Sequence, residues 1–123
     1  MKIVVLIARV LLGLVFIVFG SNAFLHFIHQ PPPQGQAGAF VGAMFMSGYF
    51  YAVAVLQIVG GLILLSGRYV ALGLLVLGPV IVNILLFHIF LEHTGLPIAI
   101  VVSFLALLVL LGHRDRFAPI FKP

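Results

Sequence analysis

Four long apolar runs, separated by short polar or proline-containing breaks, set the pattern of this chain. They cover about residues 3–27, 49–66, 69–91 and 96–112. A helix needs about 20 apolar residues to cross the hydrocarbon of a bilayer, and each run is close to that length. The pattern therefore predicts an all-α fold, an integral membrane four-helix bundle, in a single transmembrane domain over residues 1–123.

The breaks between the runs indicate where the predicted helices end. The consecutive prolines Pro31, Pro32 and Pro33 lack backbone N–H groups and force an extended backbone. The second break, residues 66–68, is only long enough for a turn. The third, residues 92–95, is followed by Pro97, which is typical of a helix end and of proline in the first turn of the next helix.

A shorter apolar segment, residues 36–48, lies between the first two spans. Its apolar side chains recur at helical spacing, but the segment is too short to cross a bilayer. We predict a short interfacial or re-entrant helix that leads into the second span. The alternative is an early start of the second span, broken near Gly48.

The composition agrees with a membrane location and excludes several kinds of site. Hydrophobic residues make up 64% of the chain and charged residues 7%, and the mean hydropathy is +1.38, so a charged outer shell cannot form. The chain contains no cysteine, which excludes disulfides, iron–sulfur clusters and thiolate zinc sites within it. Any metal or redox role must use His, Glu, Asn or a bound organic cofactor.

The basic residues predict the orientation of the chain. The chain has six Lys and Arg residues and two acidic ones. The basic residues form no stripe with interleaved aromatics, so a nucleic-acid-binding surface is not expected. With four spans, all six fall on one side, which predicts cytoplasmic N- and C-termini and contacts with lipid head groups. An alternative for the start of the chain is a cleavable signal peptide that leaves Phe24 as the first residue, although Arg9 interrupts its apolar run.

Small residues in the spans favour close helix packing, which is what holds helices together in lipid. In the second span, Gly60 and Gly61 share a face with Gln57. Pro79 should kink the third span, because it frees the carbonyl of Leu75. The remaining small positions are Gly73, Gly78, Ala99, Ser103 and Ala106. Together they predict a tight bundle and not a wide pore.

Polar side chains inside lipid are costly unless they have hydrogen-bond partners. In this chain they lie mainly in the half of the bundle that is predicted to be nearer the outer membrane face. Asn22, His26 and His29 are spaced i, i+4 and i+7 on one face of the first helix. His88 and Glu92 are spaced i, i+4 near the outer end of the third, and two amides lie deeper. The candidate ligand-binding residues are His26, His88, Glu92, Asn22, Asn83 and Gln57.

These groups suit several ligands. Imidazoles and a carboxylate at one membrane face could hold the carbonyl of a quinone, a divalent metal or a haem-like ring. A metal site would use His26, His29 and His88, although their spacing matches no strong metal motif. Alternatively, the amides only cross-link helices and Glu92 orients His88. Asn83 and His88 differ by about 140° around an ideal helix, so one site holding every polar residue is not expected.

Five short stretches give the chain a family resemblance: Ala8 to Phe16, Phe19 to Phe24, Val59 to Leu62, Ser66 to Arg68, and Asn83 to His88. In these stretches the sequence resembles the DoxX-like family. The resemblance implies a small bacterial inner-membrane protein with four helices. The family name comes from a subunit linked to thiosulfate–quinone oxidoreduction, and some members act as partners of redox enzymes. No catalytic residue carries over from the resemblance.

Three functions follow as hypotheses, and whether the chain is an enzyme stays open. The first is an accessory or partner subunit of a membrane redox or electron-transfer system. The second is an oxidoreductase-like protein that binds a quinone or another apolar ligand through His26, His88 and Glu92. The third is a small transporter or proton pathway, which the apolar inner half and the lack of a visible inverted repeat disfavour.

Overall fold

A computed structural model describes residues 2–25 and 33–121. All of the regular secondary structure in these ranges is helical. The elements are α1 (Lys2–Leu25), α2 (Gly35–Ser47), α3 (Tyr49–Ser66), α4 (Val70–Phe90), a 3₁₀ turn (His93–Gly95), α5 (Leu96–Gly112), α6 (Arg114–Phe117) and a second 3₁₀ turn (Ala118–Phe121). Four of the described helical segments are long and apolar enough to cross a membrane. The predicted all-α bundle with a short helix between spans 1 and 2 is confirmed.

Gly48 decides between the two interpretations of the short segment. It adopts φ 81° and ψ −2°, ends α2 and directly precedes α3. This left-handed backbone conformation is open to glycine at little cost. α2 is therefore a separate helix, and the second span does not start early. Further along, α4 continues through Pro79 as one helix from Val70 to Phe90.

The four long helices form a ring in the order α1, α3, α4, α5, and α5 closes the ring against α1. Neighbours in the ring run antiparallel: short turns join α3 to α4 and α4 to α5, and Gly13 and Gly20 of α1 lie beside Gly61 and Ala54 of α3 in reverse order. The packing is most extensive between α1 and α3. Each spanning helix contributes one large side chain that is fully buried inside the bundle: Leu12, Leu64, Leu77 and Val109.

Glycine allows α1 and α3 to pack at backbone distance. A Cβ atom added to Gly61 would lie 2.7 Å from the carbonyl oxygen of Gly13, and one added to Gly13 would lie 2.9 Å from that of Gly61. On its other side, Gly60 makes room for Leu77 of α4. Because lipid is as apolar as the side chains, such close contact is the main attraction between these helices.

The two ends of the bundle differ in chemistry. One end, the basic end, brings together the start of α1, the α3–α4 turn and the end of α5; its basic residues are Lys2, Arg9, Arg68, Arg114 and Arg116. The opposite end, the α2 end, is covered by α2. There Phe40 of α2 lies 5.6 Å, centroid to centroid, from Phe87 of α4, and Phe45 stacks on Phe50 of α3 at 4.3 Å.

Candidate functional site at the α2 end

His88 is the best-defined polar group at the α2 end. It lies partly buried in the last turn of α4, and its Nδ1 is 2.7 Å from the carbonyl oxygen of Ile84. A carbonyl only accepts, so Nδ1 carries the hydrogen and donates it. In the neutral ring, Nε2 is then an acceptor. No hydrogen bond to Nε2 is present within residues 2–25 and 33–121.

Gly95 and Phe87 fix the position of this imidazole. A Cβ atom on Gly95 would fall on the Nε2–Cδ2 edge of the His88 ring, 2.6 Å from Cδ2 and nearer still to Nε2, so the ring occupies space that only glycine leaves open. The ring of Phe87 meets that of His88 edge-on, with the centroids 5.2 Å apart. The connection between α4 and α5 therefore forms a seat for His88.

Glu92 bonds to Thr94 and not to His88. Its Oε1 accepts from the hydroxyl of Thr94 at 2.7 Å and from the backbone N–H of Thr94 at 3.3 Å, which caps the 3₁₀ turn. These bonds, the hydroxyl first, lower the pKa of Glu92; burial opposes them more weakly, and positive charge on His88 or His93 would add a smaller lowering. α4 ends at Phe90 and Glu92 is extended, so helical i, i+4 spacing does not reach it.

The deeper amides lie apart from this end. Gln57 is half-buried between α1 and α3, where its Cβ would be 3.2 Å from a Cβ on Gly20. Asn83 is exposed on the outside of α4 and donates from Nδ2 to the carbonyl of Pro79 at 2.8 Å. Asn22 is half-buried near the end of α1 and has an interaction partner.

The predicted residues that the structure describes therefore do not all lie together. His88 and Glu92 sit at the α4–α5 connection, while Gln57 lies between α1 and α3 and Asn83 lies on the outside of α4. His26 and His29 fall outside the described residues, so the metal site with His88 and the contact of His26 with a ligand stay predictions. Within the described ranges, no three His, Asp or Glu residues lie close enough to hold a metal ion. His93 bonds through Nε2 to the carbonyl of Ile89 at 2.6 Å.

Two grooves line the sides of α5, away from these polar residues. One, of about 260 Å³, lies between α4 and α5 and is lined by Gly78, Ile81, Ser103 and Ala106 among others. The second, of about 250 Å³, lies between α1 and α5. Their linings are almost wholly apolar, so they suit a helix side chain or an acyl chain and not a polar ligand.

Arg9 joins two helices at the basic end, a role beyond the orientation signal that its sequence position predicts. Its guanidinium donates from Nη1 to the carbonyl oxygens of Leu64 and Leu65, the latter at 3.2 Å, in the last turn of α3. The signal was present in the sequence, since an arginine inside a predicted span needs a partner. The carbonyls at the end of a neighbouring helix are such a partner.

Comparison with known proteins gives one match. The family model described as DoxX matches residues 4–90, which is 87 of the 123 residues and covers α1 to α4. No curated protein and no solved structure matches the chain.

Proposed function

This chain belongs to the DoxX family, and we propose that it is an accessory or partner subunit of a membrane redox or electron-transfer system. As a multi-pass membrane protein it exposes mostly apolar helix surface, and the helix left most exposed is α5. We infer that α5 packs against a membrane helix of the redox partner. The observation that carries this proposal is the geometry around α5.

Of the four spans, the one that contains α5 buries the smallest share of its residues, 17%, against 28% to 33% for the others. Large side chains recur along its outer face at spacings of three and four residues, and Phe104 is 57% exposed. The two apolar grooves flank this face on both sides. A partner helix with side chains that fill the grooves would gain the close packing that drives association in lipid.

We place the protein in the bacterial inner membrane with both termini in the cytoplasm. The support is the asymmetry of the two ends, because the described Lys and Arg residues all lie at the basic end. Lys and Arg near short loops favour the cytoplasmic side. The α2 end, with His88 and Glu92, would then face outward.

Site-specific photo-crosslinking in native membranes tests the partner surface. A photoreactive residue at Phe104 of α5 should yield an adduct with another membrane protein, identified by mass spectrometry as a subunit of a redox complex. The control is the same residue at Val55 of α3, which is 49% exposed at similar depth. Adducts of equal yield at both positions, or lipid adducts alone at Phe104, would contradict the proposal.

A second candidate is binding of a quinone or another apolar ligand at the α2 end. The observation in its favour is Nε2 of His88, which accepts no hydrogen bond from the described residues; Ile84 fixes the ring through Nδ1, and Nε2 lies beside Gly95, where the missing side chain leaves space. A hydroquinone hydroxyl could donate to Nε2. Glu92 would act indirectly, because its hydrogen bond to Thr94 stabilises the turn between α4 and α5 that packs against His88.

The ligand hypothesis has its own matched pair of variants. His88→Ala should lower binding of added hydroquinone to the purified protein at least tenfold, because the acceptor is lost. His93→Ala removes an exposed imidazole of the 3₁₀ turn at the same end, bonded to the carbonyl of Ile89 in α4, and should leave binding unchanged. Equal affinity of the His88→Ala and parent proteins would exclude the site.

A further inference from the structure

Asn83 is a polar side chain on the outside of a membrane span. It is exposed on α4, 13 residues from Val70 and seven from Phe90, so it lies about 10 Å along the helix from the α2 end. The hydrocarbon is about 30 Å thick, which places the amide well inside it. An uncovered amide at this depth has no water to bond with.

The amide of Asn83 makes only part of the hydrogen bonds that it can form. One hydrogen of Nδ2 goes to the carbonyl of Pro79. An asparagine amide has a second N–H and an accepting oxygen, and neither has a bond in the part of the chain that the structure describes. Nearby, Pro79 cannot donate to the carbonyl of Leu75, so a further acceptor lies on the same helix. Unsatisfied groups of this kind are costly in lipid.

The residues around Asn83 form a seam suited to another helix. They lie four, three, four, three and four positions apart: Leu72, Val76, Pro79, Asn83, Leu86 and Phe90. This heptad-like spacing keeps one stripe of a helix facing a neighbour. Leu72, Leu86 and Phe90 are 51%, 46% and 73% exposed. We call this stripe the Asn83 face. It is distinct from the groove beside α5, which uses Gly78, Ile81 and Val82 of α4.

We propose that the Asn83 face binds the same face of a second copy of this chain, with the two Asn83 amides bonded to each other. Copies inserted in one orientation are related by a two-fold axis along the membrane normal, so the same residue lies at the same depth in both. Each amide then donates its second N–H to the oxygen of the other. A different subunit would need a polar group at that same depth, and an acyl chain has none to offer.

The natural absence of cysteine makes the test direct. Single cysteines are introduced at Leu86 on the Asn83 face and, as a control, at Ile100 on α5, which is 54% exposed and lies at similar depth. Each protein is oxidised in bilayers of bacterial lipid. Leu86→Cys should form disulfide-linked dimers several times more efficiently than Ile100→Cys. The oxidation is repeated in native membranes, where a disulfide-linked species of Leu86→Cys that contains another protein in place of a second copy would overturn the proposal.

Substitutions of Asn83 in the Leu86→Cys background separate the amide bond from simple apolar contact. Asn83→Leu should lower the dimer yield about threefold to tenfold, which is the effect of a bond worth about 1 kcal/mol in lipid. Asn83→Gln, which keeps the amide, should retain more of the dimer. Because Asn83 is on the surface, the monomer should unfold at the same temperature. An unchanged yield with Asn83→Leu, or equal linking at Leu86 and Ile100, would refute the proposal.

Discussion

Arg9 of α1 donates from its guanidinium to the backbone carbonyl of Leu64 in the last turn of α3. The same Nη1 lies 3.2 Å from the carbonyl oxygen of Leu65. Carbonyls in the last turn of a helix lack the usual i+4 donor and carry the negative end of the helix dipole; that of Leu64 also accepts from the N–H of Gly67 at 3.2 Å. The contact of Arg9 thus gives the guanidinium, which lies inside a span, hydrogen-bond acceptors, and it places a positive charge at the negative end of the α3 dipole. It also holds α1 against α3 at the basic end.

Replacing Arg9 with methionine should destabilise the bundle. The change keeps an apolar stem but removes the charge-assisted hydrogen bonds, so we expect a loss of about 1 to 2 kcal/mol in the free energy of unfolding. Unfolding in mixed detergent micelles with increasing dodecyl sulfate, followed by circular dichroism, measures it. The control is Arg68→Met, at an exposed arginine of the same end. Equal losses in the two variants would show that general charge, and not the contact with α3, matters.

Gly61→Ala should separate α1 from α3. The new Cβ would approach the backbone oxygen of Gly13 to 2.7 Å, and backbone cannot move aside as a flexible side chain can. We expect about 1 to 3 kcal/mol of destabilisation in the same unfolding assay. Gly78→Ala in α4 is the matched control, because a Cβ there meets nothing within 4 Å. A Gly61→Ala protein as stable as Gly78→Ala would mean that the two helices are not in backbone contact.

The helices of this fold were predictable because the residues at and next to each helix end determine where the helix stops. The lengths of the apolar runs and the breaks at Gly48, at the turn after Ser66 and before Pro97 depend on neighbouring residues alone. The Arg9 contact was not predictable in the same way. Its partner, Leu64, lies 55 positions away, and a backbone carbonyl at one helix end looks like that at any other until the helices are packed.

The placement of His88 and Glu92 at one end of the bundle was predictable from the sequence, but their hydrogen-bond partners were not. The i, i+4 spacing of His88 and Glu92 suggested a contact on one helix face, yet α4 ends at Phe90 and Glu92 turns to Thr94 two positions on. Short polar contacts at a helix end compete with the regular spacing of the helix. The packing of the His88 ring against Gly95 depends on the path of the chain from α4 into α5. The spacing of residues along the sequence does not predict that path.

Gly95→Ala should displace the imidazole of His88. Gly95 has φ −91°, which alanine also adopts, so the only obstacle is the ring that occupies the space of the new Cβ. We expect the bond from Nδ1 to the carbonyl of Ile84 to break. In ¹⁵N NMR of the imidazoles, the protected Nδ1–H signal of His88 should disappear. Gly42→Ala in α2, with nothing within 4 Å, should leave that signal in place; its loss in both variants would point to a general disturbance of the α2 end.

Thr94→Ala should raise the pKa of Glu92. The hydroxyl of Thr94 is the main cause of the lowered pKa, and the backbone N–H of residue 94 adds to it, so the rise should be partial. Because the folded-state pKa is depressed, the contact supports the turn above the ordinary glutamate pKa of about 4.3 and is lost as the pH falls through the folded value. A ¹³C titration of the Glu92 carboxyl measures both. Thr94→Ser keeps the hydroxyl and should keep the low pKa; equal values in the alanine and serine variants would show that the hydroxyl bond has no such effect.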